Sequence, residues 1–146
     1  MIKRVNIHGY VSILIFFVAL GIADYIFFKQ SVLFGIVYIS VVVFGSISIS
    51  LTYCTKCTIR SNCKHFFPGL ISQLVKYKDK AYTKTDFIVT IFSVVLMVAL
   101  PQYWLFENIK FFIVFWILLT IVSVEVIFFV CKTCGNTKCV MCKSKN

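Results

Sequence analysis

Four stretches of this chain are apolar for about as long as a helix must be to cross a bilayer, roughly 20 residues. They are residues 10–28, 32–53, 87–106 and 111–130, and charge enters them at two positions only, Asp24 and Glu125. A chain of 146 residues has no water-soluble interior large enough for so much apolar surface. Its composition agrees, with 60% hydrophobic and 14% charged residues, where a soluble domain has roughly 45–50% and about 25%. Membrane β-strands alternate apolar and polar residues over about ten positions; these runs are apolar all round. The expected fold is therefore all-α: a four-helix polytopic membrane bundle forming a single membrane domain.

Connection lengths give the arrangement. Residues 29–31 join the first two spans and residues 107–110 join the last two, so two antiparallel hairpins are expected. Between them lies a long, basic, cysteine-rich loop, residues 54–86, and a cysteine-rich tail follows, residues 131–146. Of the 15 lysines and arginines, 13 fall at the termini, the long loop and the tail; Lys29 and Lys110 alone fall on the other side. Positive charge marks the cytoplasmic side. Both termini and the loop are thus expected in the cytoplasm of a multi-pass protein of the cell (inner) membrane. The same bias accounts for the net charge of +10, with anionic headgroups as the partner of these lysines and no need to invoke nucleic acid. The first run, following Lys3 and Arg4, is longer than the apolar core of a usual signal peptide, so it reads as a span.

Each pair of spans is followed at once by a cysteine cluster. The first is Cys54-x2-Cys57-x5-Cys63-x-His65, and the second is Cys131-x2-Cys134-x4-Cys139-x2-Cys142. The similarity of the halves reads as a parallel repeat that brings both clusters to one membrane face. Clustered thiols in a reducing cytoplasm point to metal or redox chemistry, because structural disulfides are disfavoured there. Eight ligands in two tetrads allow two closed tetrahedral zinc sites, about two Zn2+ per chain, or one site shared between the clusters. Lys56, Lys64, Lys132, Lys138 and Lys143 would offset the negative charge of such thiolate sites. An iron–sulfur cluster or a reactive dithiol serving electron transfer is the alternative, although the ferredoxin-type Cys-x2-Cys-x2-Cys run is absent. Soft-metal transport is a third, weakened because Met97 is the one sulfur residue inside a span.

No serine–histidine or cysteine–histidine triad is visible, and His8 and His65 are the two histidines, both outside the spans. An intramembrane bis-histidine haem is thereby excluded within one chain, and an enzyme is not the favoured expectation. The expected role is structural: the metal-folded loop and tail would dock a cytosolic or membrane partner, or a second copy of the chain.

Asp24 and Glu125 are the intramembrane acids, and such groups mark functional sites by default. They lie at different depths, as steps of a proton or cation path would. The simpler expectation pairs Asp24 with Lys29 or Gln102 and has Glu125 snorkel or bond to a neighbouring helix. Thr83 and Asp86 offer a helix start before the third span. Leu70, Ile71, Leu74 and Val75 share one face of a short interfacial helix. Gly45, Ser46, Ser48 and Ser50 form a small-residue stretch suited to close helix packing, and Tyr103 and Trp104 suit an interfacial position.

The run from Cys54 through Cys57, Cys63 and His65 to Phe66-Phe67-Pro68-Gly69, then Tyr82-Thr83-Lys84-Thr85-Asp86 and the four-cysteine tail, resembles a group of small prokaryotic four-span cysteine-rich membrane proteins. The resemblance covers the loop and tail best. That group has no assigned activity, so the resemblance implies the architecture and no mechanism.

Overall fold

The computed structural model describes residues 7–57, 74–75 and 80–131. Helix α1 runs Ile7–Gln30 and α2 runs Val32–Thr52, ending in a single 3-10 turn, Cys54–Lys56. Helix α3 runs Lys84–Ala99, α4 is the short Gln102–Glu107, and α5 runs Ile109–Val124 and continues as a π-helical stretch, Glu125–Cys131. Four stretches are long and apolar enough to cross a membrane: His8–Gln30, Val32–Lys56, Lys84–Glu107 and Ile109–Cys131. They pack together as an all-α bundle. Each extends the apolar run read from sequence by one to three residues at most of its ends, because polar helix ends project beyond the hydrocarbon.

Ser31 alone separates α1 from α2. It is extended, and its side chain accepts a hydrogen bond from the backbone N–H of Leu33 at 3.3 Å. Such an N-cap lets a new helix start at once. At α3 the cap is reciprocal: the Thr83 hydroxyl accepts from the Asp86 N–H, and the Asp86 carboxylate accepts from the Thr83 N–H at 2.8 Å. The capping potential of these two residues is thus used in full.

The extensive contacts run in the order α3–α2–α1–α5, with α1 packed on both α2 and α5 and with α4 touching α1 and α5. The repeat expected from the sequence is therefore not matched by equivalent packing. In the first half the two spans pack on each other; in the second, each span packs chiefly on the first half. Helix α1 is the centre. Its buried positions include Ser12, Ala19, Ala23, Ile26 and Phe27. Side chains this small at Ser12, Ala19 and Ala23 let neighbouring helices come close, which is how membrane helices gain contact without a hydrophobic driving force. Tyr38, Met97, Leu105 and Phe115 complete the core from the other helices.

Pro101 breaks the third span between α3 and α4. A proline has no N–H for the carbonyl four residues earlier, which here is Met97. That carbonyl accepts instead from the Tyr38 hydroxyl on α2 at 2.9 Å. The next carbonyl, Val98, accepts from the Gln102 side-chain amide, whose oxygen in turn accepts from the Trp116 indole N–H on α5 at 3.0 Å. Side chains thus supply the donors that a proline-broken helix lacks inside a bilayer. Past the break, Trp104 packs its ring 4.7 Å from Phe27 and 5.9 Å from Phe34. Trp104 is therefore a packing residue joining α4 to α1 and α2, beyond the interfacial position read from sequence.

At Gly45, α2 is packed directly against α3. A β-carbon there would collide with the terminal methyl of the buried Met97. Because a methionine end is flexible, Gly45→Ala is expected to cost only about 1 kcal/mol. Unfolding in mixed detergent micelles would check this.

Candidate functional site

Polar contacts gather at the two ends of the bundle. At one end, Lys56 of the 3-10 turn forms a buried ion pair with Asp86 at the start of α3. The Thr83 N–H and hydroxyl also donate to that carboxylate, each at 2.8 Å. Tyr53 and Tyr82 stack beside it with ring centroids 4.5 Å apart. The start of α1 and the π-helical stretch meet at the same end. There His8 Nδ1 lies 2.9 Å from Glu125 Oε2, and the His8 ring stacks on Phe129 at 4.5 Å. Glu125 and Phe129 share one face of that stretch, so both meet the same imidazole. Glu125 thus has its partner on a neighbouring helix. The pair is half open, with side-chain exposures of 48% for His8 and 22% for Glu125, so it contributes little to stability.

At the other end, the Gln30 amide donates to Glu107 at 3.4 Å, and the Lys29 ammonium sits 5.1 Å from the Tyr25 ring centre. Between the ends, hydroxyls are spent on their own helices. Ser40, Ser50, Thr90, Thr120 and Ser123 each donate to the carbonyl four residues earlier, at 2.8–2.9 Å. Such back-bonding hides a hydroxyl from lipid.

Asp24 is the exception. The sequence would pair it with Lys29 or Gln102. Lys29 lies over Tyr25 instead, and Gln102 is spent on Val98 and Trp116. Asp24 Oδ1 is buried and has no hydrogen-bond partner among the described residues. The two acids also belong to different settings, Glu125 at a bundle end and Asp24 in a cleft between α1 and α2.

The metal expectation requires correction. Among the described residues, no group of three or more His, Cys, Asp or Glu side chains is placed to hold a metal ion. Cys54, Cys57 and Cys131 fall in two separate elements, the first two on the 3-10 turn and its cap, the third buried at the end of the π-helical stretch. That stretch packs on α1, whereas the turn continues α2. Lys56, assigned from sequence to offset thiolate charge, instead turns inward to Asp86. The zinc sites, the iron–sulfur or dithiol redox alternative and the soft-metal route therefore lose their basis. The other expected ligands, Cys63, His65, Cys134, Cys139 and Cys142, lie outside the described residues, as does all but Leu74 and Val75 of the interfacial helix.

Sequence reading missed the Lys56–Asp86 pair, the Tyr38–Met97 bond and the His8–Glu125 pair, which join residues 30, 59 and 117 positions apart. A proline inside an apolar run was the one available signal for the second, since it announces a carbonyl in need of a donor. Compared with known proteins, the chain matches no family model, no curated protein and no solved structure.

Proposed function

We propose that this is a multi-pass protein of the cell's inner membrane, of the kind of the small four-span cysteine-rich proteins that its loop and tail resemble. In this reading the spans form two antiparallel hairpins, and both termini and the long loop are cytoplasmic. The protein holds a basic surface against the anionic inner leaflet, where it engages a cytosolic or membrane partner or a second copy of itself.

The observation that carries this reading is the pairing of the bundle ends. The start of α1 meets the end of the fourth span through His8 and Glu125, and the end of α2 meets the start of α3 through Lys56 and Asp86. The end of α1 meets the end of α4 through Gln30 and Glu107. Polar side chains seek the two water-facing planes of a bilayer, so these ties give two surfaces. In sequence, 13 of the 15 positive residues belong to the termini, the long loop and the tail, which flank the span ends of the first surface, and this bias supports a cytoplasmic assignment for that side.

Topology reporters test it. A fluorescent protein fused at the tail is expected to be bright, and alkaline phosphatase fused after Glu107 is expected to be active. The reverse pair of results would overturn the orientation, and equal signals from both would overturn the hairpins.

A further inference from the structure

We propose that the cleft between α1 and α2 at Asp24 is a binding site for the head of a lipophilic cation that enters from the bilayer. The inference needs only the membrane-spanning bundle and is independent of its orientation. The cleft has a volume of about 190 Å³ and is lined by Asp24 together with Phe17, Gly21, Tyr38, Val42 and their neighbours. That is room for an ammonium head.

Three observations fix the class of ligand. First, Asp24 Oδ1 is the one fully buried side-chain polar atom without a hydrogen-bond partner among the described residues. A carboxylate in so apolar a place needs a donor, a cation or a proton. Second, no cation is placed there among the described residues. Its described ion pairs are His8–Glu125 and Lys56–Asp86, and Lys29 lies over the Tyr25 ring. Third, the exposed ring of Phe17 lines the cleft, and aromatic rings recognise alkylated ammonium groups. A neutral alcohol would satisfy the hydrogen bond and leave the charge uncompensated; an anion would be repelled.

The route in is lateral. Tyr38, Ile39, Val42 and Val43 lie in the middle of α2, and Asp24 lies six residues from the end of α1, roughly 9 Å along the axis. A β-carbon at Gly21 would meet nothing within 4 Å, so the helix surface beside Asp24 is open. The alkyl chain of a bound amphiphile would remain in the hydrocarbon while its head reaches the carboxylate.

The test uses the full chain in nanodiscs of zwitterionic phosphatidylcholine, with radiolabelled dodecyltrimethylammonium in equilibrium dialysis and empty nanodiscs as background. Saturable binding near one per chain is expected, with dodecanol failing to compete. Asp24→Asn should weaken binding by at least about tenfold. Gly21→Phe, which fills the open side, should do the same through a different residue and gives the answer if Asp24→Asn fails to assemble. Binding no greater than to empty nanodiscs would overturn the proposal. So would wild-type affinity in a folded Asp24→Asn or Gly21→Phe protein, or equal competition by dodecanol, which would mean partition into an apolar cleft or an Asp24 served by water or a proton alone.

Discussion

Replacing Asp86 by alanine is expected to lower the stability of the folded protein by about 3–5 kcal/mol. The carboxylate answers the buried Lys56 ammonium and caps α3 through Thr83. Its removal strands a charge inside protein and opens the cap, and a lost cap alone costs about 1 kcal/mol. Asp86→Asn should fall between wild type and Asp86→Ala, because an amide oxygen can still accept from Thr83. Lys56→Met should cost less than Asp86→Ala, since the Thr83 N–H and hydroxyl still serve the carboxylate. The double variant Lys56→Met/Asp86→Ala should be more stable than the two single losses added together, as for groups that act as a unit. Urea titration in mixed micelles, followed by circular dichroism, reads all four. Additive losses would show that the two side chains do not depend on each other.

The second large effect concerns Tyr38. Interhelical hydrogen bonds in membranes average about 0.6 kcal/mol and reach about 1.7. Tyr38→Phe belongs at the upper end, about 1–2 kcal/mol, because the Met97 carbonyl that it would orphan has been deprived of its helical donor by Pro101. The diagnostic result is a cycle. Pro101→Ala restores an N–H at position 101, so Tyr38→Phe should cost less in that background than in wild type. An equal cost in both would mean that the hydroxyl matters for packing and not for the carbonyl.

These residues also show why some of the structure was legible in the sequence and some was not. The spans were legible because a bilayer imposes a length on apolar runs, and no other explanation suits four of them. The start of α3 was legible because Thr83 and Asp86 stand at capping distance along the chain. The inward faces of the spans were not. In water, helical periodicity separates a core face from a wet face. In lipid both faces are apolar, so a helix such as α5 gives no hint that Phe115 is buried while Trp116 is half exposed. Ala19 and Ala23, small and four residues apart, were the available clue on α1, a sparser pattern than the Gly45–Ser50 stretch. The cysteine spacings were clear as local patterns. A metal site also needs closure in space, and in the described part the turn between Cys54 and Cys57 is governed by the inward Lys56. Asp24 was singled out, but its isolation emerged only once Lys29 and Gln102 were seen to be engaged elsewhere.

The order in which a ribosome delivers this chain gives the ion pair at the bundle end a further meaning. Helices α1 and α2 reach the membrane first and have each other to pack against. At that stage Lys56 has no counter-charge, Tyr38 has no carbonyl to serve, and the gap beside Gly45 is unfilled. All three needs are met by one later arrival, the segment from Asp86 to Met97. The early half is thus a receptor with charge, hydroxyl and gap set along one side of α2, and the third span is its ligand, joined to it by the same chain. Maturation of the protein is accordingly an act of recognition between its two halves.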